Sequence, residues 1–136
     1  MELSSISLYN FRSYTKQTFE FSDTVTLITG ANGVGKTNLL EAVYVLMMGK
    51  SFRDADDGLT RFDEAWWRIK GVVDEIEREL RYQPDKVPHK ELYVGGVSKG
   101  RFTRKYQVPI VLFEPDDLLM VHGQPSMRRG YIDQLL

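Results

Sequence analysis

The sequence has no cysteine among its 136 residues. That excludes disulfide frameworks, cysteine nucleophiles and thiolate metal sites, and it fits a reducing compartment. Neither charge is in excess: 18 Lys and Arg stand against 19 Asp and Glu, a net charge of −1. Bulk electrostatic capture of nucleic acid is therefore not expected. There is no long apolar run. The longest, Ala42 to Met48, falls far short of a membrane span of about 20 residues. The opening Met-Glu-Leu-Ser-Ser has no positive region leading into an apolar core, so no secretory signal is expected. Repeats, low-complexity stretches and Pro-rich linkers are also missing, and the two histidines have no metal-ligand spacing. What remains is 42% hydrophobic and 27% charged, an ordinary globular composition. The expectation is a soluble, cytoplasmic chain without a membrane partner, one domain long or a piece of a larger one.

The chain opens with extended patterns. Ile6 and Leu8 alternate with polar neighbours, and residues 18–21 and 24–29 are rich in β-branched and aromatic types. A glycine-rich turn at 30–35 follows. From Lys36 the period changes: Leu39, Leu40, Val43, Leu46 and Met47 mark one face of a helix that Gly49 is placed to stop. Residues 54–91 hold 11 acidic and 7 basic residues, a local balance of −4. Short strands are predicted at 66–73, 76–82 and 92–94, with turns at Asp74-Glu75 and Gly95-Gly96. Residues 99–105 carry four basic residues and no acid, and the apolar run 109–113 predicts a buried strand. A last helix is expected from Pro125. It is still apolar at Leu135-Leu136, as in a chain cut from something longer.

The strongest motif is Gly30-Ala31-Asn32-Gly33-Val34-Gly35-Lys36-Thr37, a full G-x-x-x-x-G-K-[ST] match between a strand pattern and an amphipathic helix. Glycines let the backbone approach phosphate oxygens, and successive N–H groups with the helix dipole form an anion nest. Lys36 supplies charge for β- and γ-phosphates, and Thr37 a hydroxyl for Mg²⁺. ATP and Mg²⁺ are the expected ligands, held by residues 30–38. A chance match in a glycine-containing turn is the bland alternative.

Elements on both sides of this loop resemble the amino-terminal part of the RecF family, recombination-mediator ATPases in the SMC-like branch of ABC-type ATPases. Asn10-Phe11-Arg12-Ser13-Tyr14 is similar to its N-F-R-x-Y element, and Gly30 to Asn38 with Leu39-Leu40-Glu41-Ala42 to its G-x-N-G-x-G-K-T-N-L-L-E-A run. Gly49-Lys50-Ser51-Phe52-Arg53 matches its G-K-S-F-R. Phe113-Glu114-Pro115-Asp116-Asp117-Leu118 resembles F-x-P-E-D-L, with Asp116 where Glu is usual. Gly123-Gln124-Pro125-Ser126-Met127-Arg128-Arg129 and Tyr131-Ile132-Asp133 resemble G-x-P-x-x-R-R and F-L-D. The resemblance implies an incomplete α/β P-loop core of the ABC/SMC-like type with a small antiparallel β lobe. Core strands, loop and helix would occupy 1–53, the lobe about 62–107, and 108–136 would return to the core. In that family ATP is sandwiched in a homodimer that acts on gapped or junction DNA in repair and replication. RecR-type partners assist, and the outcome is RecA loading. Family members are longer, and their Walker B strand and signature motif have no match here, so an ATPase half-site that grips phosphate without hydrolysing it is expected. A strand at 110–113 ending in Glu114 is a weaker Walker B alternative. A non-hydrolytic binding module and another small P-loop enzyme are the rival classes.

The resemblance places Arg12 near the nucleotide's phosphates or base; alone it reads as a solvated strand arginine. It gives Arg53 a DNA- or nucleotide-facing role, where charge alone reads Lys50 and Arg53 as cations at a helix C-terminus. Lys99, Arg101, Arg104 and Lys105, interleaved with Phe102 and Tyr106, suit a DNA backbone or a solvated hairpin face. Arg128 and Arg129 suit an acidic or anionic partner or a pair with Asp133. Asp116 and Asp117 suit water-mediated Mg²⁺ or a helix-starting turn. Trp66 and Trp67 would face opposite sides of a strand, one of them core.

Overall fold

A computed structural model describes residues 2–22, 24–114 and 129. The alternation at the N-terminus makes β1 (Leu3–Phe11), whose Ile6, Leu8 and Phe11 are fully buried. β2 (Tyr14–Glu20) returns antiparallel to it, with Phe11 opposite Tyr14. Arg12 lies in the turn between them at φ 52°, a left-handed conformation that costs an L-residue about 1 kcal/mol. The backbone pays for this locally: the Arg12 N–H donates to the Leu59 carbonyl at 2.8 Å, and the Arg61 N–H to the Asn10 carbonyl at 2.8 Å.

On its other edge β1 pairs antiparallel with β3 (Trp67–Val73), followed in the sheet by β4 (Ile76–Tyr82), β5 (Lys90–Val94) and β6 (Val97–Gly100). The order is β2-β1-β3-β4-β5-β6. The opening hairpin and the strands expected for the lobe thus form one six-stranded sheet. Both turn readings hold. Asp74-Glu75 and Gly95-Gly96 have positive φ at both positions (48° and 63°, 58° and 76°), the type that matches strand twist in tight hairpins. β6 was not foreseen, because Val97–Gly100 carries no buried apolar residue to mark it.

The helix α1 (Lys36–Met48) runs between Gly35 and Gly49, as the pattern predicts. At Gly49 only glycine fits: φ is 75°, its N–H caps the Val45 carbonyl at 2.8 Å, and a Cβ there would meet Phe102 Cδ1 at 2.3 Å. The buried face is rotated from the expected one. Leu39, Glu41, Ala42, Val45, Leu46 and Met47 are buried, while Leu40 is 49% exposed. Contact with the sheet sets this rotation, since Leu46 packs directly over Gly71 of β3, where a Cβ would come within 2.6 Å of Leu46 Cδ2. The core between α1 and the sheet centres on Trp67, fully buried. Its ring stands edge-on to Phe11 and stacks on Tyr82, both at 5.8 Å, and its indole N–H donates to the Asp56 carbonyl at 2.7 Å. Trp66 precedes β3 and stands on the surface.

Two expected strands are not formed. Residues 24–29 and 110–113 belong to no strand, and Val25, Leu27, Val111 and Phe113 are mostly exposed. β-Propensity reports a fit to a pleated, half-buried surface, and among the described residues no ladder partner offers either segment that surface. The readings of a helix from Pro125 and of Asp116, Asp117, Arg128 and Asp133 lie outside the described residues. Arg129 is helical and exposed. No helix of the described residues is long and apolar enough to cross a membrane.

The two tryptophans give a test of this packing. Trp67→Ala removes a fully buried ring and should cost about 3–5 kcal/mol, whereas Trp66→Ala should cost under about 1 kcal/mol. Urea unfolding of both variants measures the difference, and equal losses would contradict the placement of Trp67 at the core.

Candidate functional site

The glycine-rich loop curls around its own lysine. The Lys36 ammonium donates to the carbonyls of Gly30 and Ala31 at 2.7 and 2.8 Å. Beside it lies a cavity of about 340 Å³ lined by Asn32, Gly33, Gly35, Lys36, Thr37, Asn38 and Arg53. Gly30 and Ala31 contribute through the lysine, and Val34 faces a neighbouring hollow with Tyr14, Phe19, Ile28 and Leu39. The start of α1 has no side-chain cap and no acid in its first turn. Its first backbone N–H groups, which have no intrahelical acceptor, therefore give the cavity a positive end. Gly35 stands at φ 107°, and a Cβ there would lie 2.7 Å from the Tyr14 hydroxyl. Neither backbone nor packing admits another residue.

The β1–β2 turn braces this loop. The Tyr14 hydroxyl donates to the Gly35 carbonyl at 3.0 Å, and burial pushes its pKa up, so it remains a neutral donor. One residue earlier, Ser13 Oγ accepts from Asn38 Nδ2 at 3.1 Å. The loop's aim is thus set by the sheet through two consecutive hairpin residues.

Behind the loop lies a group that the sequence did not mark out: Glu41, fully buried. Arg12 grips it in a fork, Nε on Oε2 at 2.9 Å and Nη2 on Oε1 at 2.8 Å. Ser51 Oγ donates to Oε1 at 2.5 Å, and Arg53 Nη2 donates to Oε2. Burial alone would raise the Glu41 pKa, but hydrogen bonds from Arg12, Arg53 and Ser51 outweigh it and hold the carboxyl at about 2. Arg12 also reaches Asp54 at 3.2 Å and the Gly58 carbonyl at 2.8 Å. All three of its nitrogens are on protein acceptors, and it does not line the loop cavity. Arg53 does line it. An acid inside an otherwise apolar helix face, with two arginines in flanking motifs, was the signal that would have found Glu41.

The basic residues 99–105 are differently placed. Lys99, Arg101, Arg104 and Lys105 are exposed, Lys99 on β6 and Arg104 and Lys105 on the short helix Arg104–Tyr106. Phe102 and Tyr106 are half-buried against the core, and the Tyr106 carbonyl accepts from Arg78 Nη2 at 2.7 Å. The cations face solvent and the aromatics face inward. His89 is exposed near Arg101 and Phe102.

The Glu41 cluster sets a pH dependence. Its folded pKa of about 2 lies below the ordinary value of 4.5. The stabilisation it brings, about 3 kcal/mol as an upper figure, is complete above pH 4.5 and is lost as pH falls toward 2. In urea unfolding, Glu41→Gln should be destabilised at pH 7, and the gap to wild type should narrow between pH 4.5 and 2. A gap that stays constant with pH would show that the carboxylate's charge contributes nothing.

Comparison with known proteins agrees with this geometry. The profile of a family described as "AAA domain" matches residues 5–107. The DNA replication and repair protein RecF of Bacillus cereus (strain G9842) is 37% identical over 139 residues, taking in all of this chain and 37% of that protein. A solved structure of "the recombination mediator protein RecF-ATP in RecFOR pathway" aligns with TM-score 0.76 at 36% identity, over 97% of this chain and 37% of that one. A structure described under "ATP-driven dimerization and DNA stimulated activation of SMC ATPases" aligns over the whole of both chains with TM-score 0.74 at 21% identity, a likeness of fold. The chain spans 37% of the length of the curated relatives it matches. It belongs to the AAA-domain family, has the P-loop fold of RecF and SMC head ATPases, and is similar along its whole length to the amino-terminal part of RecF.

Proposed function

We propose that this chain is the ATP·Mg²⁺-binding part of a RecF-like protein of DNA repair and replication. The observation that carries the reading is the cavity at the start of α1, where an uncapped helix end, Gly33, Gly35 and Lys36 converge. The residues fit a polyphosphate. Lys36 has three N–H donors, two on loop carbonyls, which leaves one for a phosphate oxygen. The first N–H groups of α1 add further donors, and among the described residues no acid lines the cavity to repel an anion. Thr37, exposed in the first turn, would hold Mg²⁺ through its hydroxyl, and the metal would neutralise charge between two phosphates.

Hydrolysis is not part of this proposal for the chain by itself. Glu114, the acid considered for a Walker B role, ends a segment that forms no strand. On this half-site reading residues 1–53 would grip phosphate and about 62–107 would form the lobe, whose strands continue the sheet of the first hairpin. By the RecF resemblance, ATP would be shared between two protomers acting on gapped or junction DNA with a RecR-type partner. Exposed Lys99, Arg101, Arg104 and Lys105 support a DNA contact confined to phosphates, since the interleaved aromatics pack inward.

Two experiments test the reading. Lys36→Ala should weaken binding of a fluorescent ATP analogue with Mg²⁺ about 10- to 100-fold, the loss of a charged hydrogen bond. Hydrolysis by the wild-type chain should stay at background, and steady turnover abolished by that substitution would overturn the half-site reading. Charge reversal at Arg101 and Arg104 together should weaken DNA binding and reduce the slope of log affinity against log salt by about 2. Unchanged affinity would make residues 99–105 a solvated face.

A further inference from the structure

Arg53 is held in an unusual way for a surface arginine. Its Nη2 reaches the buried Glu41 carboxylate and, at 3.2 Å, Asn38 Oδ1. Its guanidinium lies 5.5 Å from the centre of the Phe52 ring. Both polar contacts fall on one nitrogen. Among the described residues its Nε and Nη1 donors have no hydrogen-bond partner, yet the side chain is one-third exposed and lines the phosphate-loop cavity. Glu41 also needs no second cation for its own satisfaction, because Arg12 already meets it with two parallel hydrogen bonds and Ser51 with a third. The Glu41–Arg53 contact therefore does more for Arg53 than for Glu41.

We propose that Glu41 is a positioning residue for polyphosphate binding: from inside the core it grips Arg53 by a single nitrogen and presents the remaining guanidinium donors to a phosphate oxygen in the loop cavity. The inference rests on the nucleotide reading above. Its physical basis is preorganisation. A free arginine gives up rotamer freedom when it binds an anion, and a guanidinium already fixed at one end loses less of it. Helical spacing makes the arrangement possible. Glu41 follows Asn38 by three residues, so both lie on the side of α1 that meets Arg53. Asn38 completes the grip, with its amide nitrogen on Ser13 and its oxygen on Arg53.

The geometry separates a positioned fork from a nearby charge. Arg53→Lys keeps the charge but has one nitrogen, which Glu41 would occupy. Measured by equilibrium fluorescence with a non-hydrolysable ATP analogue and Mg²⁺, Arg53→Lys and Arg53→Ala should weaken binding to a similar extent, about 10-fold. Glu41→Gln should weaken it by a comparable factor, and Glu41→Gln combined with Arg53→Ala should be no worse than Arg53→Ala alone. Circular dichroism and thermal unfolding identify a Glu41→Gln chain that fails to fold; the lysine and alanine variants at position 53 then decide. Affinity retained in Arg53→Lys, or effects of Glu41→Gln and Arg53→Ala that multiply, overturns the positioning role. If wild type binds and Lys36→Ala does not, while Arg53→Ala binds as wild type does, this inference fails and the nucleotide reading stands. Absence of binding by wild type overturns both.

Discussion

A carboxylate with no solvent access anchors the structure around the phosphate loop. Moving an ion from water into a protein interior costs several kcal/mol even after relaxation, so Glu41 can be buried only where strong donors meet it. Those donors come from two segments far apart in sequence: Arg12 in the first hairpin, and Ser51 and Arg53 after α1. Together they make the burial favourable, which ties the hairpin, the helix and residues 51–58 into one arrangement. Arg12 extends the tie by bonding Asp54 and the Gly58 carbonyl. Its left-handed backbone follows from the same demand, since the turn must deliver a side chain to Glu41 and an N–H to Leu59 at once.

The sheet carries this arrangement outward. β1 lies between β2 and β3, so the strand that leads into Arg12 also lines up against the strand that holds Trp67. The Trp67 indole in turn fixes the Asp56 carbonyl, and the Asp56 carboxylate accepts from Lys90 Nζ of β5 at 2.6 Å. Residues 54–59 are thereby held from both sides, by Arg12 and by the strands of the sheet. This accounts for acidic residues in a stretch with a −4 balance: Asp54 and Asp56 are partners of specific cations rather than a diffuse negative surface. The charge count was accurate, but a count does not reveal pairing.

Features whose cause is local were legible in the sequence. α1 is bounded by glycines and begins where the motif requires. The turns at Asp74-Glu75 and Gly95-Gly96 declare themselves by residue type. Features caused by distant partners were not. Leu40 fits the apolar period yet faces solvent, and Glu41 breaks the period yet is buried, because the rotation of α1 is set by Gly71 and by arginines 29 and 12 residues away along the chain. The segments 24–29 and 110–113 show the converse: strand-like composition without a sheet neighbour among the described residues forms no strand and leaves Val25, Leu27, Val111 and Phe113 exposed. Pairing of β1 with β3 joins Tyr9 to Arg68 across the intervening loop and helix, a register that no window of sequence contains.

The phosphate loop itself combines both kinds of cause. Its glycines and lysine are local, and residues of these types at this spacing suit an anion. The direction in which that space opens is not local. Tyr14 holds the Gly35 carbonyl, Ser13 holds Asn38, and Asn38 with Glu41 holds Arg53, so these three lining residues refer back to the first hairpin or to the buried acid. A G-x-x-x-x-G-K-T match therefore specifies which groups can bind phosphate, whereas the tertiary contacts behind it specify where the phosphate must stand. On this chain the two requirements meet at α1, whose first turn carries the motif and whose second carries Glu41.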